Sequence, residues 1–102
     1  MGLLDFLRRK KKYENVEFEG GSGDTTKSAI IIRGASNHVA GVLAEYQYLG
    51  EKFGRRDVDW WLVGQTLVSH GGRKYDQMEI KLSDSTQRVV LFDITEFFGK
   101  QP

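Results

Sequence analysis

The spacing of apolar residues changes once along this chain, and that change limits its fold more than any other feature. Before Gly54, residues Val39, Val42, Leu43, Tyr46, Leu49 and Phe53 recur at intervals of three and four, the period of one helical face. After Asp59 the pattern alternates. Trp60, Leu62, Gly64, Thr66 and Val68 fall on one side, and Trp61, Val63, Gln65, Leu67 and Ser69 on the other, the period of a strand. A helix with one apolar face must lie against another element. The strands that follow supply that surface.

The remaining elements follow from local signals. Val16 and Phe18 alternate with Glu17 and Glu19 within residues 13–19, which predicts a short edge strand. Residues 20–28, Gly-Gly-Ser-Gly-Asp-Thr-Thr-Lys-Ser, read as a loop and as the one candidate hinge. Ala29-Ile30-Ile31-Ile32-Arg33 is β-branched and short, a buried strand. Ser36, with Asn37 as rival, is the expected N-cap of the long helix, and Gly54 its stop. Gly41 inside the helix costs about 1 kcal/mol against Ala, which a close approach to the sheet would explain. His70-Gly71-Gly72-Arg73 predicts a hairpin. Beyond it Met78, Ile80 and Leu82 share a face opposite Tyr75, Gln77, Glu79 and Lys81. A turn at Ser83-Asp84-Ser85 leads to a strand, Arg88–Phe92, covered on both faces. Asp93 and Glu96 have the spacing of a capping box. That predicts a last helical turn docked through Phe97 and Phe98. The expected fold is α+β in the order β-β-α-β-β-β-α: a mixed, mainly antiparallel sheet of three to five strands with one long helix on one face. The expected organisation is a basic arm over 1–12, an edge strand and glycine loop over 13–28, a domain over 29–99 and a loose tail over 100–102.

With 102 residues the chain has room for one domain, and its 28 Val, Ile, Leu and Phe residues suffice for a core. It has no Cys, which removes disulfides, thiolate metal sites and a cysteine nucleophile. No apolar run reaches the roughly 20 residues of a membrane span, and nothing resembles a secretory leader. The expectation is a cytoplasmic protein. Of the net charge of +1, residues 1–12 carry +4 and the remainder −3. An acidic body is a poor phosphate binder, so nucleic acid is not the expected partner.

Several chemical motifs are approached and missed. Gly21–Ser28 nearly matches the phosphate-loop pattern, but Thr26 stands where a glycine is required and Ala29-Ile30-Ile31-Ile32 reads as a strand, not the helix such a loop must open. Asp57-Val58-Asp59 begins like a calcium loop, but Trp60 and Trp61 follow where oxygen ligands belong. His38 and His70 are far apart, and Ser69 and His70 point to opposite faces of a strand. No catalytic residue, cofactor or metal site is assigned on these grounds. Carboxylates such as Glu45, Asp59 and Asp93 could still converge in space.

Two surfaces stand out as binding candidates. Arg55, Arg56, Trp60, Trp61, Arg73, Lys74 and Tyr75 could share one end of the sheet. Adjacent tryptophans on a strand point to opposite faces, so one belongs to the core and the other to the less covered face. Exposed Trp beside Arg is a common binding hot spot. The arm is the second candidate, with Leu3, Leu4, Phe6 and Leu7 followed by Arg8, Arg9, Lys10, Lys11 and Lys12. Amphipathic basic segments of this kind lie on anionic lipid. Leu3-Leu4-Asp5-Phe6 with the basic run resembles the N-terminal membrane-targeting peptide of the bacterial division regulator MinE, over about a tenth of the chain. The resemblance implies a bacterial chain with a lipid-affine start, peripheral at the membrane, and carries over no division role.

The expected function is therefore a non-enzymatic module that binds a protein or an anionic membrane surface. The alternative is a small-molecule site or weak enzyme, with a pocket containing convergent carboxylates between the long helix and the sheet.

Overall fold

Glycines set the boundaries of the central elements. The computed structural model describes residues 15–101. Six elements follow in the chain: β1 (Glu17–Gly20), β2 (Ile30–Arg33), α1 (His38–Phe53), β3 (Trp60–His70), β4 (Arg73–Leu82) and β5 (Gln87–Asp93). Gly54, at φ 104°, ends α1 in a conformation that side chains avoid. Gly71 and Gly72, both at positive φ, form the two-residue turn between β3 and β4, the geometry that matches the twist of paired strands. The expectations for residues 1–12 and Tyr13, the resemblance included, lie outside the described residues.

The strands form one five-stranded sheet in the order β1-β2-β5-β4-β3. β2 and β5 are parallel, and the other neighbours are antiparallel. The architecture is the expected α+β fold, with β3, β4 and β5 as the meander. α1 crosses one face. Ile30, Ile32, Phe92, Met78, Ile80 and Trp60 supply the sheet side of the main core, and Ala44 and Leu49 the helix side. A smaller cluster of Ala29, Tyr75 and Leu91, flanked by Val68, closes the other face near β5.

Four local expectations are corrected. First, α1 is rotated from its predicted stripe. Its buried residues are Gly41, Ala44, Glu45 and Leu49, while Val39 and Leu43 are 52% and 43% exposed. Small residues bring the helix axis close to the layer beneath, and the Phe97 ring occupies the space where a Gly41 side chain would be. Secondly, β3 does not alternate throughout. A bulge between Leu62 and Gly64 shifts the register. Trp60 and Leu62 face α1 before it; Gln65 and Leu67 do so after it, opposite Met78 and Asp76. Thirdly, no second helix forms after β5 among the described residues. Asp93 is the last residue of β5, and Ile94–Gly99 forms a turn in which the Ile94 carbonyl accepts from Phe97 and Phe98 N–H. The Asp93 carboxylate does bond Thr95 N–H at 3.0 Å. Glu96, however, reaches across to Gly34 N–H at 2.7 Å instead of returning to its own turn. Phe97 enters the core, and Phe98 stays 41% exposed. Fourthly, the helix N-cap is Asn37, whose Oδ1 accepts from Ala40 N–H at 3.0 Å.

Two segments expected to be loose are tied. In the glycine loop, Gly23 N–H donates to Ser28 C=O at 2.7 Å, and Gly23 C=O accepts from Leu91 N–H at 2.7 Å. A Cβ on Gly23 would stand 2.8 Å from Ile30 Cδ1 and 3.3 Å from Val90 Cγ1, and the φ of 88° favours glycine there. Near the C-terminus, Lys100 C=O accepts from His38 N–H at 2.9 Å and meets one of the free donors of the first helical turn.

Candidate binding site at the end of the helix

The path of the chain from α1 to β3 builds the site. After Gly54 the backbone turns tightly through residues 55–59. Asp59 Oδ2 accepts from Arg55 N–H at 2.7 Å, and Asp59 N–H donates to Arg55 C=O at 2.8 Å. A Cβ on Gly54 would stand 2.4 Å from that carboxylate, so the turn requires glycine there. Asp57, at φ 63°, completes the reversal and donates its N–H to Trp60 C=O at 2.7 Å. The turn lays Arg55 and Arg56 back beside the last turns of α1.

Beneath them is an aromatic floor. Trp60 is 1% exposed, and its indole N–H donates to Gly54 C=O at 2.9 Å. Its ring stacks on Tyr46, with centroids 6.4 Å apart and planes 17° from parallel. The Arg56 guanidinium lies 4.4 Å from the centre of the Tyr46 ring, close enough for a cation–π contact. Tyr46, Gly50, Gly54, Arg55, Arg56 and Trp60 line an open cavity of about 520 Å³. Gly50 belongs to a regular helix, and a Cβ there would meet nothing within 4 Å. Its missing side chain leaves the helix backbone accessible from the cavity. Among the described residues no carboxylate pairs with Arg55 or Arg56. The negative end of the helix dipole is near, so both guanidiniums also stabilise α1 without a ligand.

Trp61 points to the other face of the sheet and is 36% exposed. With Val63, Lys81, Ser83 and Ser85 it lines a second open cavity of about 570 Å³. Trp60 and Trp61 thus divide between core and open face, and each walls a cavity on its own side of one strand.

The basic and aromatic residues expected to gather at one end of the sheet are split between two. Trp60 pairs with Leu82, whereas Arg73 pairs with His70, so a whole strand length lies between the groups. Arg73 bonds the Asp93 carboxylate, and Tyr75 is buried against Ala29 and Leu91. Lys74 Nζ donates to Ser69 Oγ at 2.7 Å. Neither Arg73 nor Tyr75 is available to the site at the helix end.

The carboxylates also assemble differently. Asp59 caps the turn, and Asp93 binds Arg73 and Thr95. Burial raises the Asp93 pKa, but hydrogen bonds from Arg73 and Thr95 outweigh it and hold the carboxyl below its ordinary value. Glu45 instead meets Asp76 between α1 and β4. Glu45 is 1% exposed, and its Oε2 has no hydrogen-bond partner. Burial, then a hydrogen bond with Asp76 and its like charge, push the Glu45 pKa up to about 10. Asp76 accepts from Gln65 Nε2 at 2.8 Å. Neither cavity described above touches this pair. Among the described residues no group of three or more potential ligands could hold a metal ion. No helix among them is long and apolar enough to cross a membrane.

Of the site residues, Arg55, Arg56 and Trp60 were legible in sequence as a basic–aromatic cluster. Tyr46 and Gly50 were not, because Tyr46 fitted the presumed core stripe and a lone helical glycine has no pattern. No protein-family model, curated protein or solved structure matches the chain.

Proposed function

We propose that this protein is a non-enzymatic protein-binding module, and that the cavity at the end of α1 receives a carboxylate-bearing or aromatic side chain of its partner. The observation that carries this reading is Arg55, without a carboxylate partner among the described residues, beside an Arg56–Tyr46–Trp60 stack over an open cavity. Arg, Tyr and Trp dominate interface hot spots because they combine large apolar area with directed polar groups. A guanidinium over an aromatic floor offers a planar fork to a carboxylate and a flat surface to a ring. Gly50 allows such a group to approach the helix backbone.

The test is a screen of the full chain against an array of acidic, aromatic-containing peptides. Indole fluorescence then measures affinity for those retained. The Arg55→Ala/Arg56→Ala double variant is expected to weaken binding by roughly 30-fold, a typical hot-spot loss, while the circular dichroism spectrum is unchanged and the thermal midpoint falls by only a few degrees, the share of the lost helix-end charge. Equal affinity in parent and variant would remove the proposal. Anionic vesicles form the comparison arm. If they alone bind, and deletion of residues 1–12 abolishes it, a membrane-surface role takes its place.

A further inference from the structure

The two edges of the sheet are guarded very differently. β1, at one edge, has four residues and carries Glu17 and Glu19. β3, at the other, has eleven residues, Trp60–His70, with no Asp, Glu, Lys, Arg or Pro. A free strand edge is a template for pairing, and proteins block it with charge, proline, bulges or brevity. β1 uses brevity and charge. β3 has only its bulge near Val63, and the stretch beyond it, Gly64–His70, pairs regularly with β4 and has no strand on its outer side among the described residues.

We propose that this stretch of β3 pairs antiparallel with the same stretch of a second copy of the chain, joining two five-stranded sheets across a two-fold axis. A self-pairing strand sets each residue against its own sequence reversed, so any charged residue risks meeting its like. β3 has none. Centred on Leu67, the pairing matches Gly64 with His70, Gln65 with Ser69 and Thr66 with Val68. Leu67 is 53% exposed on the helix-side face. Val39 and Leu43 of α1 are also apolar and exposed, in the helix row that continues to Tyr46, which stacks on Trp60 at the start of β3. The two-fold places Leu67 beside its copy and closes this strip from both sides. Seven paired residues span about 24 Å, so the contact covers on the order of 500 Å² per copy, at the low end for specific association. The dimer is therefore reversible and concentration-dependent. This inference is independent of the cavity at the end of α1.

Sedimentation of the full chain from micromolar to millimolar concentration tests it. The parent should move from monomer to dimer across that range. Leu67→Lys, at a half-exposed position, should weaken the dimer by roughly 100-fold through like charges on the axis, with an unchanged circular dichroism spectrum. Val58→Lys, equally exposed but off the pairing stretch, should leave it intact. Because the chain has no cysteine, Leu67→Cys adds a direct readout: under mild oxidation it should form a covalent dimer much faster than Val58→Cys. A parent that stays monomeric throughout, a dimer equally stable in Leu67→Lys, or equal cross-linking at the two positions would each overturn the proposal.

Discussion

Replacing Glu45 by Gln should make the protein more stable at neutral pH and remove most of the pH dependence of its stability above the ordinary carboxyl range. Glu45 is buried, with one oxygen unpartnered and Asp76 as its neighbour. Its pKa of about 10 in the folded chain stands far above the 4.5 of a free glutamate. Between those values the folded protein holds a proton that the unfolded chain releases. Stability therefore falls as pH rises through that window. At pH 7 the loss relative to acid conditions is about 3 kcal/mol, a large share of what a domain this size possesses. Glutamine keeps the shape and can donate to Asp76 without a proton equilibrium. The gain at pH 7 should approach that figure and shrink towards nothing near pH 4.5. Urea unfolding of parent and Glu45→Gln at pH 4.5, 7 and 9 measures it. Parallel stability curves would show that Glu45 does not carry this cost.

The second large effect lies four residues away. Gly41→Ala should destabilise the fold by about 1–3 kcal/mol, the range for overpacking a filled interior. The same change at Gly50 should stabilise it by up to about 1 kcal/mol. Helix propensity favours alanine equally at both sites, so tertiary contact decides the sign. A Cβ on Gly41 would stand 2.2 Å from the Phe97 ring, whereas one on Gly50 meets nothing within 4 Å. Thermal unfolding of the two single variants checks the contrast. Equal shifts of the same sign would mean that Phe97 moves aside freely. Gly50→Ala also bears on the cavity, because a retained stability cost at a position with no steric demand fits a surface kept open for a ligand.

Glu45 and Gly41 also show why residue size does not predict the buried face of α1. Val39, Leu43 and Tyr46 are among the large apolar residues of α1, and ranking by size places them inward. The helix instead approaches through Gly41 and Ala44, with Leu49 below, because small residues permit the shorter distance. Val39, Leu43 and Tyr46 are then carried to one flank of the helix. There Tyr46 stacks on Trp60 and completes the candidate site, while Val39 and Leu43 stay open. The partnership of Tyr46 with Arg56, ten residues later, depends on the Gly54 reversal and the Asp59 cap together, and no spacing rule reports it.

Sequence alone was enough for whatever depends on backbone conformation and local period. The stop at Gly54, the Gly71-Gly72 hairpin, the short strand at Ile30–Ile32, the division of Trp60 from Trp61 and the meander all follow from φ preferences and side-chain alternation within a few residues. Tertiary structure alone decided the rotation of α1, the parity change at the β3 bulge, the diversion of Glu96 to Gly34, and the meeting of Glu45 with Asp76. In each of these, two segments distant in sequence compete for the same space or the same hydrogen bond. Such competition is settled by close packing and polar pairing across the chain, which leave no periodic trace in the sequence.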